Sequence, residues 1–224
     1  MHLYLAIQNT YDIFEMALFQ DKNFIDYLYE DKRYTSKMFI PLLDQLCVKN
    51  NIQFSDISFC AVNGGPGPFS TLRSIIASVN GLHLATHIPL IGIDGLEATF
   101  LEFYDNHYEN TVILLNAFNH EVYYLIAQQE TVINKGYKKI DLLLAEITQQ
   151  YHNQPIHFIG NGVTLYHNLI QQTCGIHVIT KKNMPPMCSI KTIGALGLQA
   201  FLNNQYTSDY LMPLYLKKHA VENQ

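Results

Sequence analysis

The stretch NGGPGPFSTLRSIIASVNGLHLA, Asn63 to Ala85, places three glycines and two prolines in its first six residues and then takes on a helical pattern. Glycine-rich turns that feed a helix commonly hold phosphate, because unpaired N–H groups and the helix dipole point into the turn. This turn lacks the Lys-Ser/Thr of a P-loop and the G-x-G-x-x-G spacing of a dinucleotide site. It also follows the fourth or fifth expected strand instead of the first. Local chemistry therefore reads it as a sharp strand-to-helix reversal built on Gly64, Gly65 and Gly67, stiffened by Pro66 and Pro68. Phe69 is its expected hydrophobic plug and Ser70 its N-cap. His83 and His87 have the i, i+4 spacing of a shared metal ligand pair, but no Glu base or third ligand lies nearby. They read as surface or capping residues. Asn9-Thr10, after the first apolar run, reads as a polar turn. No G-x-S-x-G elbow is present, and no catalytic triad can be nominated.

The elements that position these residues follow from composition and period. The chain has 224 residues, 48% of them hydrophobic and 15% charged, with a net charge of -5. That suits an ordinary globular core in one domain or two small lobes, and argues against a broad face gripping nucleic acid unaided. Lys135 to Lys139 and Lys181-Lys182 are small basic patches that read as solvated surface. Cys47, Cys60, Cys174 and Cys188 form no C-x-x-C, the pattern of reduced, mostly buried thiols. No apolar run is long enough for a membrane helix and the N-terminus carries no basic leader, so the expectation is a soluble, cytoplasmic protein.

HLYLAIQ, DIFEMALFQ and NFIDYLYE read as three successive strands, followed by a helix over Tyr34 to Val48 capped by Thr35 or Ser36. ISFCAVN is a buried strand, then come the glycine turn, a helix to about Ala85 and the strand PLIGI. From Thr111 the pattern restarts in shorter form: strands TVILLNA and EVYYLIAQ, a helix from Ile140 to Tyr151, the strand PIHFIG, and helices over Leu165 to Thr173 and Ile190 to Leu202. This order implies mixed sheets with parallel crossovers.

The segment from Asn63 to Ala98 resembles the signature of the TsaB family, also called YeaZ. Gly65-Pro66-Gly67, Phe69, Leu72-Arg73, Gly81-Leu82, Ile88-Pro89-Leu90, Gly92 and Leu96-Glu97-Ala98 fall on it in register. RYTSKMFIPLLDQL, LNAFNHEVYY, FIGNG and MPLYLKK are similar to further family segments. The resemblance implies an α/β protein of the actin-like ATPase (ASKHA) superfold, with two lobes of mixed sheets flanked by helices: an N-terminal lobe over 1–108 and a smaller lobe over 109–224. It also implies a noncatalytic subunit that pairs with a TsaD-like protein in threonylcarbamoyl modification of tRNA adenosine 37. A TsaE-like ATPase would act through that complex, and a homodimer is expected when the chain is alone. No cofactor, metal, membrane or strong direct nucleic-acid partner is implied. The alternatives are an autonomous actin-fold enzyme, either a small-molecule kinase or a TsaD-like transferase, and a stand-alone dimeric binding module.

Departures from related patterns sharpen this. Actin-like kinases carry a first-strand carboxylate that orients Mg²⁺, and this chain has Gln8 there. Catalytic TsaD carries a metal-binding histidine pair where this chain has Gly95 and Thr99. Asn116, Phe118 and Asn161 replace polar or charged residues of the second lobe, and Lys217 replaces an Arg.

On a helical wheel of Ser70 to Ala85, Leu72, Ile75, Ile76, Val79 and Leu82 share one side, and Ser70, Ser74, Ala77, Ser78, Gly81 and Ala85 the other. The first side is expected on the sheet. The second, a stripe of small residues, permits close approach of another helix, either a partner's or the protein's own first helix. The apolar arc of the preceding helix, including Met38, Leu42 and Ile40, is wider than one buried stripe requires. Together the two helices are expected to supply half of a four-helix bundle, as the family resemblance implies for pairing with TsaD or with a second copy.

Overall fold

The computed structural model describes residues 1–152, 154–175, 178–180, 185–206 and 210–217. The chain divides into two compact units, one of Met1–Ala98 with Ser189–Leu214 and one of Thr99–Cys188 with Tyr215–Gln224. The expected lobes are 1–108 and 109–224, whereas here the first unit ends at Ala98 and also takes in Ser189–Leu214, which includes the C-terminal helix.

In the first unit, β1 (Leu3–Asn9), β2 (Ile13–Gln20) and β3 (Asn23–Asp31) form an antiparallel meander. α1 (Thr35–Lys49), β4 (Ile57–Asn63), α2 (Phe69–Thr86) and β5 (Leu90–Ile93) then add two parallel strands, giving the order β3-β2-β1-β4-β5. α1 and α2 are crossover helices. α1 buries Phe39, Leu42, Leu43, Leu46 and Cys47, and α2 buries Leu72, Ile75, Ile76, Val79 and Leu82. These side chains form one core with Leu5, Ile7, Phe14 and Met16 of the sheet. Neither helix starts as the sequence pattern suggests. α1 follows Tyr34 without a side-chain cap, and α2 follows Pro68, which places Ser70 inside the helix.

α3 (Gly95–Phe103) follows β5. The second unit continues with β6 (Asn110–Asn116), β7 (Glu121–Gln128), β8 (Thr131–Lys139), α4 (Ile140–Gln150), β9 (Ile156–Ile159), α5 (Asn161–Leu165), α6 (His167–Cys174) and β10 (Val178–Thr180). Its sheet order is β10-β9-β6-β7-β8, with the same mixture of parallel and antiparallel pairs as the first. The expected shortened copy is thus a five-stranded copy, with β8 and β10 supplying the strands that the sequence pattern does not reveal. The helices are the shorter part: the single expected helix over Leu165 to Thr173 is two pieces, α5 and α6. Val112, Leu114, Leu143, Leu144, Ile147 and Phe158 centre a separate core.

α7 (Ile190–Leu202) lies on the opposite face of the first sheet from the α1–α2 core, and glycine lets it approach. A Cβ on Gly197 would stand 2.2 Å from the Ala61 Cβ, and one on Gly194 would stand 2.7 Å from the Phe19 ring. All four cysteines are free: Cys47, Cys60 and Cys188 are buried and Cys174 is half-buried. Burial pushes the Cys60 thiol up to about 12.

Candidate functional site

The end of β1 is where an actin-like enzyme would need a metal-orienting carboxylate, and Gln8 there is fully buried and committed to its neighbours. Its Nε2 donates to Glu15 Oε1 at 2.5 Å, and its Oε1 accepts from Asn63 Nδ2 at 3.1 Å. Tyr27 donates its hydroxyl to the other Glu15 oxygen at 2.7 Å. Burial holds the Glu15 carboxyl above the usual carboxylate range, outweighing the hydrogen bonds from Tyr27 and Gln8. The result is a chain of internal hydrogen bonds from β3 to the end of β4, in which the one carboxylate is already held by two donors. Asn9 and Thr10 are equally engaged. Asn9 donates to the Thr71 carbonyl and accepts from the Thr35 hydroxyl, tying the hairpin to both helices. The Thr10 hydroxyl accepts from the backbone N–H groups of Asp12 and Ile13.

The glycine turn is spent in the same way. Gly64 donates its N–H to the Ile93 carbonyl at 2.9 Å and accepts from the Leu214 N–H at 2.7 Å. Gly65 donates to Asn63 Oδ1 at 3.0 Å, and its carbonyl accepts from Gly95 N–H at 2.7 Å. Pro66 and Pro68 have no N–H to offer. A phosphate cradle needs several amides aimed outward, and here the amides of Gly64 and Gly65 hold the loop together. Of the three turn glycines, Gly65 alone adopts a positive φ, +108°. A Cβ at Gly67 would meet nothing within 4 Å and one at Gly64 only an ordinary contact, so the geometric demand expected of three glycines rests on one. Phe69 is a further correction. It is 41% exposed on the first turn of α2 with the Arg73 guanidinium 3.9 Å from its ring centroid, so it is not a buried plug.

Gly95 and Thr99, the positions at which the family resemblance implies metal-binding histidines in a catalytic member, carry no metal-ligating side chain of that kind. A Cβ on Gly95 would come within 2.7 Å of Asn63 Oδ1, so the space for a longer side chain is already filled. The Thr99 hydroxyl is buried and accepts from the Cys188 N–H at 3.1 Å. Among the described residues no group of three or more His, Cys, Asp or Glu side chains is placed to hold a metal ion. His83 Nδ1 lies 2.8 Å from the Ile88 carbonyl, and His87 ends α2 in the left-handed conformation. These described residues do not fit the metal that the family resemblance implies for a catalytic member.

What remains is the outward face of α1 and α2. Ser70, Ala77, Gly81 and Ala85 are exposed, and Ser74 and Ser78 are half-buried. Ser74 donates its hydroxyl to the Ser70 carbonyl at 3.0 Å and Ser78 to the Ser74 carbonyl at 2.8 Å. Both hydroxyls are turned onto their own helix, which leaves the stripe low in relief and less polar than its composition suggests. A Cβ on Gly81 would meet nothing within 4 Å, so α1 does not cover this part of the stripe. Leu84, at i+7 from Ala77, is 79% exposed, and Ile40 and Val48 of α1 are 60% and 70% exposed. Met38 is only partly buried, against the core. Leu42 is corrected: at 4% exposure it belongs to the core and cannot meet a partner. Leu84 and Val48 do not stand out in the sequence, although their spacing to Ala77 on one helix and to Ile40 on the other is available there.

In the second unit the replaced polar positions tie a loop together. Asn161 Oδ1 accepts from the Asn116 N–H at 2.9 Å, and Asn116 Oδ1 from the Phe118 N–H at 2.8 Å. Lys217 Nζ pairs with Glu121 at 2.8 Å and sits 4.9 Å from the Tyr137 ring centroid. Lys138 of the basic patch pairs with Glu146. Lys181-Lys182 lies outside the described residues. Among the described residues no helix is long and apolar enough to cross a membrane.

The sequence model of the family described as TsaD: tRNA N6-adenosine threonylcarbamoyltransferase matches residues 30–224. The tRNA threonylcarbamoyladenosine biosynthesis protein TsaB of Buchnera aphidicola subsp. Baizongia pistaciae (strain Bp) is 20% identical over 185 residues, covering 80% of this chain and 81% of that protein. The solved structure of YeaZ from Pseudomonas aeruginosa superposes with a TM-score of 0.74 at 19% identity, over 96% of this chain and 100% of the other. An inorganic polyphosphate/ATP-glucomannokinase from Arthrobacter sp. strain KM shares the fold at a TM-score of 0.53 and 8% identity, over 90% of this chain and 100% of that one. The fold is thus the actin-like ATPase fold, and the chain belongs to the TsaD family of tRNA threonylcarbamoyladenosine proteins, as a TsaB (YeaZ) member.

Proposed function

We propose that the chain is a noncatalytic subunit that pairs with a TsaD-like protein and supports threonylcarbamoylation of tRNA adenosine 37. The observation that carries this is the exposed small-residue face of α2, with Leu84 exposed on the same side of that helix, together with the exposure of Ile40 and Val48 on α1. Lys and Glu are the better residues for a helix face meant only for water, whereas small residues admit a second helix pair at close range. The internal commitment of Gln8, Glu15 and Asn63, with Gly95 and Thr99 at the ligand positions, supports the noncatalytic part of the reading. Met38, Ser70, Ser74, Ala77, Ser78 and Gly81 form the core of the proposed face. A second copy of the chain occupies it when the partner is absent, and a TsaE-like ATPase acts through the complex.

With a net charge of -5 the chain does not grip tRNA strongly by itself, and it works in the cytoplasm with the partner that does. The test is a pull-down of the tagged chain from its native cell extract. Recovery of a TsaD-like protein is the expected result, together with background ATP hydrolysis by the purified chain. Metal-dependent turnover by the chain alone would overturn the reading.

A further inference from the structure

On the face of the first sheet away from α1 and α2, the aromatic rings form a continuous row. Phe24 meets Phe19 edge-on at 5.3 Å, Phe19 stacks on Tyr4 at 5.2 Å, Tyr4 on Phe59 at 4.4 Å, and Phe59 on Phe201 at 4.4 Å. α7 lies over β1, β4 and β5 and reaches β2, held close to the sheet by Gly194 and Gly197. Where α7 ends its cover, the row continues into an open cleft of about 740 Å³ between α7 and the β2–β3 hairpin. Its floor is Phe19 and Phe24 and its wall includes Ala195 and Leu198. That volume and lining are those of a small-molecule pocket.

The rim sets the ligand class. Lys22 comes from the hairpin and Lys191 from α7, both exposed, and among the described residues no carboxylate lines the cleft. The Lys191 ammonium sits 5.0 Å from the Phe24 ring centroid, at the mouth. In a chain of net charge -5, this is an apolar trough with two cations at its edge.

We propose that the cleft between α7 and the β2–β3 hairpin binds a small amphipathic carboxylate, with its apolar body on Phe19, Phe24 and Leu198 and its carboxylate between Lys22 and Lys191. The apolar contact supplies affinity, and the two ammonium groups select an anionic head over a neutral one. The site is distinct from the α1–α2 face, so its test is independent of the partner reading.

The experiment is calorimetric titration of the full chain with decanoate, below the concentration at which decanoate forms micelles, against decanol as a neutral-headed control. The expected result is saturable one-to-one binding of decanoate that is about tenfold tighter than that of decanol. Lys22→Glu and Lys191→Glu each weaken decanoate by about tenfold and leave decanol unchanged. Ala195→Trp, which fills the wall, abolishes both, and Ala77→Arg on the other face of the sheet alters neither. Absence of saturable decanoate binding, equal binding of decanol, or binding unaffected by either charge reversal overturns the proposal. The wild-type comparison of the two ligands decides the matter even where a substitution impairs folding.

Discussion

The two units carry the same five-strand topology and spend their crossover segments differently. Each has a glycine of positive φ just after the strand parallel to its first: Gly65 at +108° after β4, and Gly160 at +102° after β9. Both are pressed against backbone or side chain, since a Cβ on Gly160 would stand 2.4 Å from the Leu114 carbonyl oxygen and one on Gly65 2.9 Å from Leu72. The turn is therefore a requirement of the fold, needed wherever this topology brings a strand end back over its neighbour. The helix after the turn is under no such constraint. In the first unit it is the 18-residue α2 with its small outward stripe, and in the second the 5-residue α5 and 8-residue α6 take its place. The contrast separates the part of the motif that shapes the chain from the part available to a partner.

The largest effect that would sharpen this separation concerns α7, which packs on the first sheet through its glycines. Gly197→Val puts a branched Cβ 2.2 Å from the Ala61 Cβ, and overpacking there costs about 3 kcal/mol, or roughly 6 to 12 °C in Tm. An unchanged melting temperature would mean that α7 does not lie flush on β4. Next is the turn itself. Gly65→Val lowers stability by about 1 to 2 kcal/mol because it forces a branched side chain into positive φ, whereas Gly67→Ala changes it by under about 0.5 kcal/mol. Equal losses at the two positions, measured by urea unfolding, would break the assignment of the turn to one glycine.

The units also differ in how they keep a carboxylate on the second strand. Glu15 is buried, and its raised pKa means that the folded chain retains the proton at higher pH than the unfolded chain. Its contribution to stability is fully present below the ordinary Glu pKa and is lost as pH rises through the raised one. The Tm of Glu15→Gln minus that of the wild type should therefore grow more positive from about pH 4 to pH 8. A difference constant across that range contradicts the account. Glu121, paired with Lys217 nearer the solvent, gives the smaller effect of the two carboxylates: Glu121→Gln shifts stability by under about 1 kcal/mol. A larger loss would place that pair in a less screened setting than its exposure implies.

The legibility of these features in the sequence tracks burial. β1, β4, β6 and β9 are apolar runs because they lie inside their sheets, and the period of α1, α2, α4 and α7 matches the faces they bury. β8 is hidden because an edge strand needs no apolar alternation: TVINKGYKK is exposed over its first five residues. β10 has only three residues, too few to show a period. At the site, the residue types at Gln8, Gly95 and Thr99 are readable in the sequence. Their hydrogen bonds to Glu15, Asn63, Gly65 and Cys188 join distant segments and have no local signal. A wheel also cannot measure arc width in space, which is why Leu42 looks available beside Ile40 although only Ile40 is exposed.

The central claim is that the outward face of α2 is where the chain meets its partner, and one substitution in the middle of the small stripe tests it most directly. Ala77 is exposed, so a long charged side chain fits on the isolated chain and clashes only with a second helix laid against it. Size-exclusion chromatography of Ala77→Arg, mixed with the TsaD-like protein from the same cell, should show a folded monomer with the melting temperature of the wild type that no longer co-elutes with the partner. An intact complex carrying Ala77→Arg would place the interface elsewhere, and an unfolded variant would mean that the stripe packs against the chain's own first helix.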